Sequence, residues 1–392
     1  MRFVSIVLLA CVPPRNPGII PVERAAEPPR IMELIEGQPR AIVAVRAGAA
    51  SDPIGKEGLA WWVAQAIVAG AEPEIRVVVD EDLTSFSVDC AAGQPDCGAD
   101  LGARIAAGPS ADALDRARDA RPPAAMVPGG PAGAALQALL FVGHPYGHPI
   151  SGRDGVFPTL THADAVAFHA AAYVRSSVVG GVAGAPAGPL TDALAQLPGR
   201  LPPDDARMAP EPVPAHTLLL SGVPGPLEIR CGRALDGAGG VASLVPAASA
   251  HLDAALVAAG AGRAVVGLGP YQPADWSGAP APTLPRRSPH LEVVVWPTPG
   301  REHDAWSVVT TTLDGIGGAA LEAAPAVAHP DAAVLSALAP VQDVAGPALT
   351  DALRVDELVC VGVGGDVAAT AQVLGARGGA PQLVHSIEGF FR

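Results

Sequence analysis

Positive charge, aromatic rings and long apolar runs are all scarce in this chain. Lys and Arg total 25 against 39 Asp and Glu, which leaves a net charge of −14 over 392 residues. That balance speaks against nucleic acid or an anionic membrane surface as partner, and it suits a soluble protein or one that handles basic peptides. Aromatic residues make up only 4% and charged residues 16%. No Cys-x-x-Cys is present, so a thiolate zinc site has no basis. No Gly-x-Gly-x-x-Gly and no P-loop lysine occur, which removes the common nucleotide cradles. A Gly-x-Ser-x-Gly elbow is also missing, and with it the case for a serine hydrolase.

What the chain has in abundance is glycine and proline, 45 and 42 residues. Concentrated in one stretch they would signal disorder. Here they punctuate apolar segments of strand and helix length, so the expectation is a loop-rich globular protein long enough for two domains.

The N-terminus reads as an address. Met1-Arg2 supplies one positive charge, Phe3–Ala10 is a short apolar run, and Pro13, Pro14 and Pro17 stop any continuing helix. The run is far too short to span a bilayer. Leu8-Leu9-Ala10-Cys11 resembles a bacterial lipobox, which implies lipidation at Cys11 and an anchor in the bacterial cell envelope, on the periplasmic side. The alternative is an ordinary secretory signal in which Cys11 is a coincidence. The four remaining cysteines are Cys90, Cys97, Cys231 and Cys360, an even number that allows two bridges with three pairings. Cys90 and Cys97 flank a short turn, while Cys231 and Cys360 both end strand-like runs in the second half. Free buried thiols are the competing reading.

Residues 1–11 are therefore assigned to the signal and 12–34 to a Pro-rich tether. A first domain spans 35–200, a linker 201–214, and a second domain 215–392. In the first domain, strands are expected at Ala41–Ala47, Ile75–Asp80 and Leu83–Cys90, the last two as a hairpin. Helices are expected at Asp96–Ala107, Ala111–Arg121 and Ala132–Val142, and at Thr161–Tyr173 with Thr161 as cap and Asp164 three residues on. In the second domain, strands at His216–Ser221, Leu227–Cys231, Ala264–Leu268, His290–Trp296 and Val355–Val363 alternate with Ala-rich helices. Ala248–Ala259 and Asp366–Leu374 are the clearest of these helices.

Residues 41–70, AIVAVRAGAASDPIGKEGLAWWVAQAIVAG, run strand, Gly/Ser/Asp/Pro turn, helix. Further on come His144-Pro145-Tyr146-Gly147-His148-Pro149, then Gly152, a capped helix with Phe168-His169, and a strand closing at Gly184. In this order the segments resemble the insulinase–pitrilysin–mitochondrial processing peptidase family, the inverted zincins. The resemblance covers roughly residues 35–200, and the second half matches only in rhythm. The family helix carries His-x-x-Glu-His, whose two histidines lie on one face and share a zinc ion while the glutamate polarises its water. Here those positions hold Trp61, Ala64 and Gln65. The indole has no lone pair for a metal, alanine moves no proton, and glutamine is a weak neutral ligand. The third ligand, a glutamate on a later helix, has no counterpart in Leu114–Arg121, where Asp115 and Asp119 read as a solvated face.

The other candidates are weaker. His144 and His148 are four apart, but the intervening prolines exclude a helix, so the loop reads as a turn that tucks Tyr146 inward. His162 and His169 read as core or surface histidines. Arg263 and Tyr271 do not convincingly match the substrate-positioning Arg and Tyr of active relatives. The glycines at 237–240 and 362–365 read as turns. The resemblance implies an α+β fold of two similar halves, each an antiparallel-dominated sheet with helices packed on one face. It also implies no catalytic residue, no metal and no cofactor. The function expected is that of a zinc-less subunit partnering an active zinc-peptidase paralogue in a peptide-degrading or processing heterodimer. It would bind peptides but not nucleic acid, and it would reach the membrane through its lipid anchor. The alternative is a stand-alone envelope binding or scaffold lipoprotein.

Overall fold

The apolar runs resolve into two sheets. The computed structural model describes residues 29–33, 39–71, 74–90, 97–122, 130–199, 211–235, 241–269, 289–319, 321, 334, 348–365, 367–375 and 382–384. The first sheet contains β1 (Arg30–Glu33), β2 (Arg40–Val45), β3 (Arg76–Val79), β4 (Thr84–Asp89) and β5 (Val178–Ala183), in the order β1-β5-β2-β4-β3. The second contains β6 (Thr217–Leu220), β7 (Glu228–Ala234), β8 (Gly262–Gly269), β9 (His290–Pro297), β10 (Val359–Val363) and β11 (Gln382–Val384), in the order β11-β6-β10-β7-β9-β8.

The two orders are one pattern used twice. β6 through β10 take the places of β1 through β5, and β11 is an extra edge strand. β1–β5 and β6–β10 are the parallel pairs, and the other pairs of each repeated unit are antiparallel. The fold is thus α+β with antiparallel-dominated sheets and an internal duplication. β1 lies within the stretch read as tether.

Helices α1 (Leu59–Val68), α2 (Cys97–Ala107), α3 (Ala111–Asp119), α4 (Gly130–Leu140), α5 (His162–Ala172) and α6 (Ala187–Leu194) belong to the first half. In the second half lie α7 (Val241–Ala258), α8 (Glu302–Gly315), α9 (Leu349–Ala352) and α10 (Val367–Gly375). Strand β2 shows why the first core forms. Ala41, Val43 and Val45 face the helices, while Ile42 and Ala44 join a second cluster on the other face. A strand buried on both faces needs a continuous apolar run, which this segment supplies. α5 starts where Thr161 and Asp164 form a reciprocal capping box.

The helix expected at Ala132–Val142 is present as α4, and the structure adds where it packs. α4 packs Ala132, Ala135, Leu136 and Leu140 against Leu218, Leu220, Val359 and Val361 of the second sheet, on the face away from α7 and α8. In return, Val334 of the second half sits with Ile42, Ala44, Leu83 and Val179 of the first. Each half thus contributes to a core of its neighbour. Disulfides join Cys90 to Cys97 and Cys231 to Cys360. The second links directly opposed residues of β7 and β10.

Candidate functional site

The site is the frame around α1. Its helix opens at Gly58, whose φ of 104° puts it in the left-handed region that favours glycine. A Cβ there would stand 2.8 Å from the Phe157 ring and 3.0 Å from the Gly152 Cα. The orphan N–H groups of this helix end find their acceptor at a distance in sequence. Asp52 accepts from the Gly58 backbone N–H at 2.5 Å and from that of Ala60 at 2.7 Å. Lys56, in the same loop, pairs with Asp164 of the α5 capping box. The Lys56 and Thr161 contacts hold the Asp164 carboxyl down at about 2.

Ala64 is fully buried, Trp61 is 9% exposed and Gln65 is half-buried. These side chains do not fit zinc: between them they offer one neutral amide, and no histidine or carboxylate stands in their place. Aromatic and guanidinium packing occupies this end of the helix. The Trp62 indole N–H donates to the Leu114 carbonyl of α3 at 2.7 Å. Phe157 stands edge-on to Trp61 and Trp62, with ring centroids 6.0 and 5.8 Å apart. The Arg118 guanidinium lies 4.2 Å over the Trp62 ring, and that of Arg121 lies 4.5 Å over Phe157. A lone sequence gives no signal for this group, because its members come from three segments.

The histidines do not converge. His144 accepts from the Tyr146 backbone N–H at 3.1 Å and so caps a short turn, Pro145–Gly147. Tyr146 is buried and donates its hydroxyl hydrogen to Asp82 at 2.5 Å. His148 is buried beside the Pro149 carbonyl, and burial lowers its pKa. His162 meets Asp115 at 2.8 Å on the surface. His169 meets the Ile105 carbonyl at 2.9 Å and stacks on Tyr173. Asp119 is exposed, and among the described residues no group of His, Cys, Asp and Glu is placed to hold a metal ion.

Arg263 forms a two-pronged pair with Asp253, at 2.7 and 2.9 Å. Tyr271 and the glycines 237–240 lie outside the described residues. Gly364 and Gly365 have positive φ, and a Cβ on Gly364 would meet the Pro226 carbonyl oxygen at 2.3 Å. A close backbone crossing explains that pair. Sequence reasoning missed a second polar group, in which Gln137 of α4 donates to buried Glu81 at 2.5 Å and to the Tyr146 carbonyl at 3.0 Å.

No family model and no curated protein matches the chain. Solved structures do. A peptidase M16 inactive domain from Pseudomonas fluorescens aligns over 86% of this chain and 95% of its own, with TM-score 0.61 and 15% identity. The fold is that of the M16 peptidases. A chain of complex III2 from Candida albicans aligns over 85% of this chain and 93% of its own, at TM-score 0.62 and 10% identity. Pitrilysin aligns over 85% of this chain at TM-score 0.59 and 12% identity, with 43% of its own length matched. The alignment thus spans nearly all of the Pseudomonas fluorescens domain and less than half of pitrilysin.

Proposed function

We propose that this chain is a catalytically inactive, zinc-less M16-type subunit that works beside an active zinc metallopeptidase in a peptide-degrading or processing heterodimer. The reading is supported by an M16-type fold whose helix α1 carries Trp61, Ala64 and Gln65, the residues that the resemblance lays on the three motif positions. The similar Pseudomonas fluorescens structure, an M16 inactive domain, supports the reading. Peptide would be held at the edge of β3, where Val78 is 54% exposed and, among the described residues, one side of the backbone has no neighbouring strand. The chain would be exported and anchored through Cys11 on the periplasmic side of a bacterial envelope. Two disulfides are consistent with an oxidising compartment.

The test is purification of the native protein from detergent-solubilised membranes, with its partners identified by mass spectrometry. A stoichiometric partner bearing His-x-x-Glu-His is expected. Recovery of the chain alone, or with unrelated envelope proteins, would transfer the reading to a stand-alone scaffold lipoprotein. Stoichiometric zinc in the purified chain, with peptidase activity abolished by Gln65→Ala, would end both.

A further inference from the structure

We propose that residues 151–160 form a strap that Arg118 and Arg121 hold shut across the N-terminal turn of α1, so that the chain itself closes the approach to its degenerate motif. The arginines leave the end of α3 and spend their donors on the strap. Arg121 donates through Nε to the Ser151 carbonyl at 2.7 Å and through a terminal nitrogen to the Gly152 carbonyl at 2.6 Å. Its other terminal nitrogen meets Asp154 at 2.8 Å. Arg118 donates to the Leu160 carbonyl at 2.6 Å and, more weakly, to that of Phe157 at 3.4 Å. The two guanidinium groups thus grip both ends of one loop.

Between those ends the strap inserts Phe157, which is buried and meets Trp61 and Trp62 edge-on. Backbone approach is close enough that Gly152, at φ 81°, could carry no Cβ without meeting the Glu57 carbonyl oxygen at 2.3 Å. The tip is different: Asp154 and Gly155 are exposed, and space around Gly155 is open. The segment is thus gripped at its ends and at Asp154, anchored inside by Phe157 and Leu160, and open to solvent at Gly155. Guanidinium forks bonded to carbonyls, with stacking on aromatic faces, supply a fixed geometry that lysine does not reproduce. This inference stands whether or not the chain binds peptide.

Hydrogen exchange of the full chain, with acrylamide quenching of its tryptophans, tests it. In Arg118→Gln/Arg121→Gln, amides of 151–160 should exchange about tenfold faster or more, since several charge-assisted bonds are lost. Quenching should rise while β2 and β4 keep their protection. Unchanged exchange in 151–160 would overturn the strap, as would equal acceleration across the first sheet, which would make the arginines general fold supports. Should the double variant fail to fold, Arg121→Lys gives the same reading on the Ser151 and Gly152 contacts alone. Acceleration confined to the strap supports the proposal; unchanged or sheet-wide exchange overturns it.

Discussion

Gln137 and Glu81 meet at 2.5 Å in the interior, one on the helix lent to the second sheet and the other at the tip of the β3–β4 hairpin. The contact ties the hairpin of the first sheet to the helix that packs on the second, through a carboxyl group that is 1% exposed. Gln137→Leu removes a donor from that carboxylate without opening a large cavity. The expected cost is about 1–3 kcal/mol, or more because the acceptor is charged. Urea unfolding followed by circular dichroism measures it. A loss within about 0.3 kcal/mol would mean that Glu81 is supported by its other contacts alone.

Trp62 carries packing, a hydrogen bond and a cation–π contact on one fully buried ring. Trp62→Phe keeps most of the apolar area but leaves the Leu114 carbonyl without its indole donor. We expect a destabilisation of about 1–3 kcal/mol from the unmet acceptor and the smaller ring. The same substitution at Trp296, whose indole donor reaches the half-exposed Glu228, should cost less. A reversed order in thermal midpoints would contradict the account.

Installing the motif should not install the metal site. Trp61→His, Ala64→Glu and Gln65→His together give α1 two imidazoles on one face, but α3 brings Arg118 and Arg121 to its neighbourhood instead of a carboxylate. Asp115 is engaged by His162 on the surface. Zinc measured after dialysis should be well below one equivalent, and peptidase activity should be absent. Stoichiometric zinc retained through dialysis would show that two helical histidines suffice here.

His148 sets a pH dependence whose sign is fixed by burial. Its folded pKa lies below the ordinary 6.5, so below that value the unfolded chain takes up a proton that the folded chain resists. Stability therefore falls as pH drops below about 6.5, and the loss is complete only below the folded pKa. His169 acts in the same direction. Asp164 works further down: held at about 2, it contributes stability above the ordinary carboxyl value of 3.8, and this is lost as pH falls through about 2. His148→Gln should flatten the decline of the urea midpoint between pH 7 and pH 5 (about one ordinary histidine titration). A variant profile parallel to the wild type would place the dependence elsewhere.

Thr161→Ala removes the oxygen that accepts the Asp164 backbone N–H. A cost of about 0.5–2 kcal/mol follows from the lost cap. Thr161→Ser, which keeps the oxygen, should restore most of it. If serine and alanine behave alike in urea unfolding, the methyl group and not the cap matters.

Much of the fold was legible because β2, β9 and β10 are largely apolar runs, because β4 alternates buried and less buried positions, and because Thr161 and Asp164 mark a helix start. α8 was not legible: Val308, Val309, Thr310, Thr311 and Thr312 are β-branched and lower its helical propensity, while burial of Ala305, Trp306, Val309 and Leu313 overrides that preference. α7 begins at Val241, and Pro246 within it disguised the first turns. β1 hides in a proline-rich stretch because Arg-Ile-Met-Glu alone has no readable period. At the site, the sequence itself names Trp61, Ala64 and Gln65, which the resemblance lays on the motif positions. The guanidinium–aromatic group could not, since α3 and the strap approach α1 only after the chain has folded.

The packing of α4 on the second sheet, and of Val334 against the first, makes each half an incomplete template for its own core. Cutting the backbone between residues 200 and 210 should therefore yield two fragments that stay together through gel filtration, each needing the other to remain soluble. Written as two separate genes, this chain would already be an obligate pair.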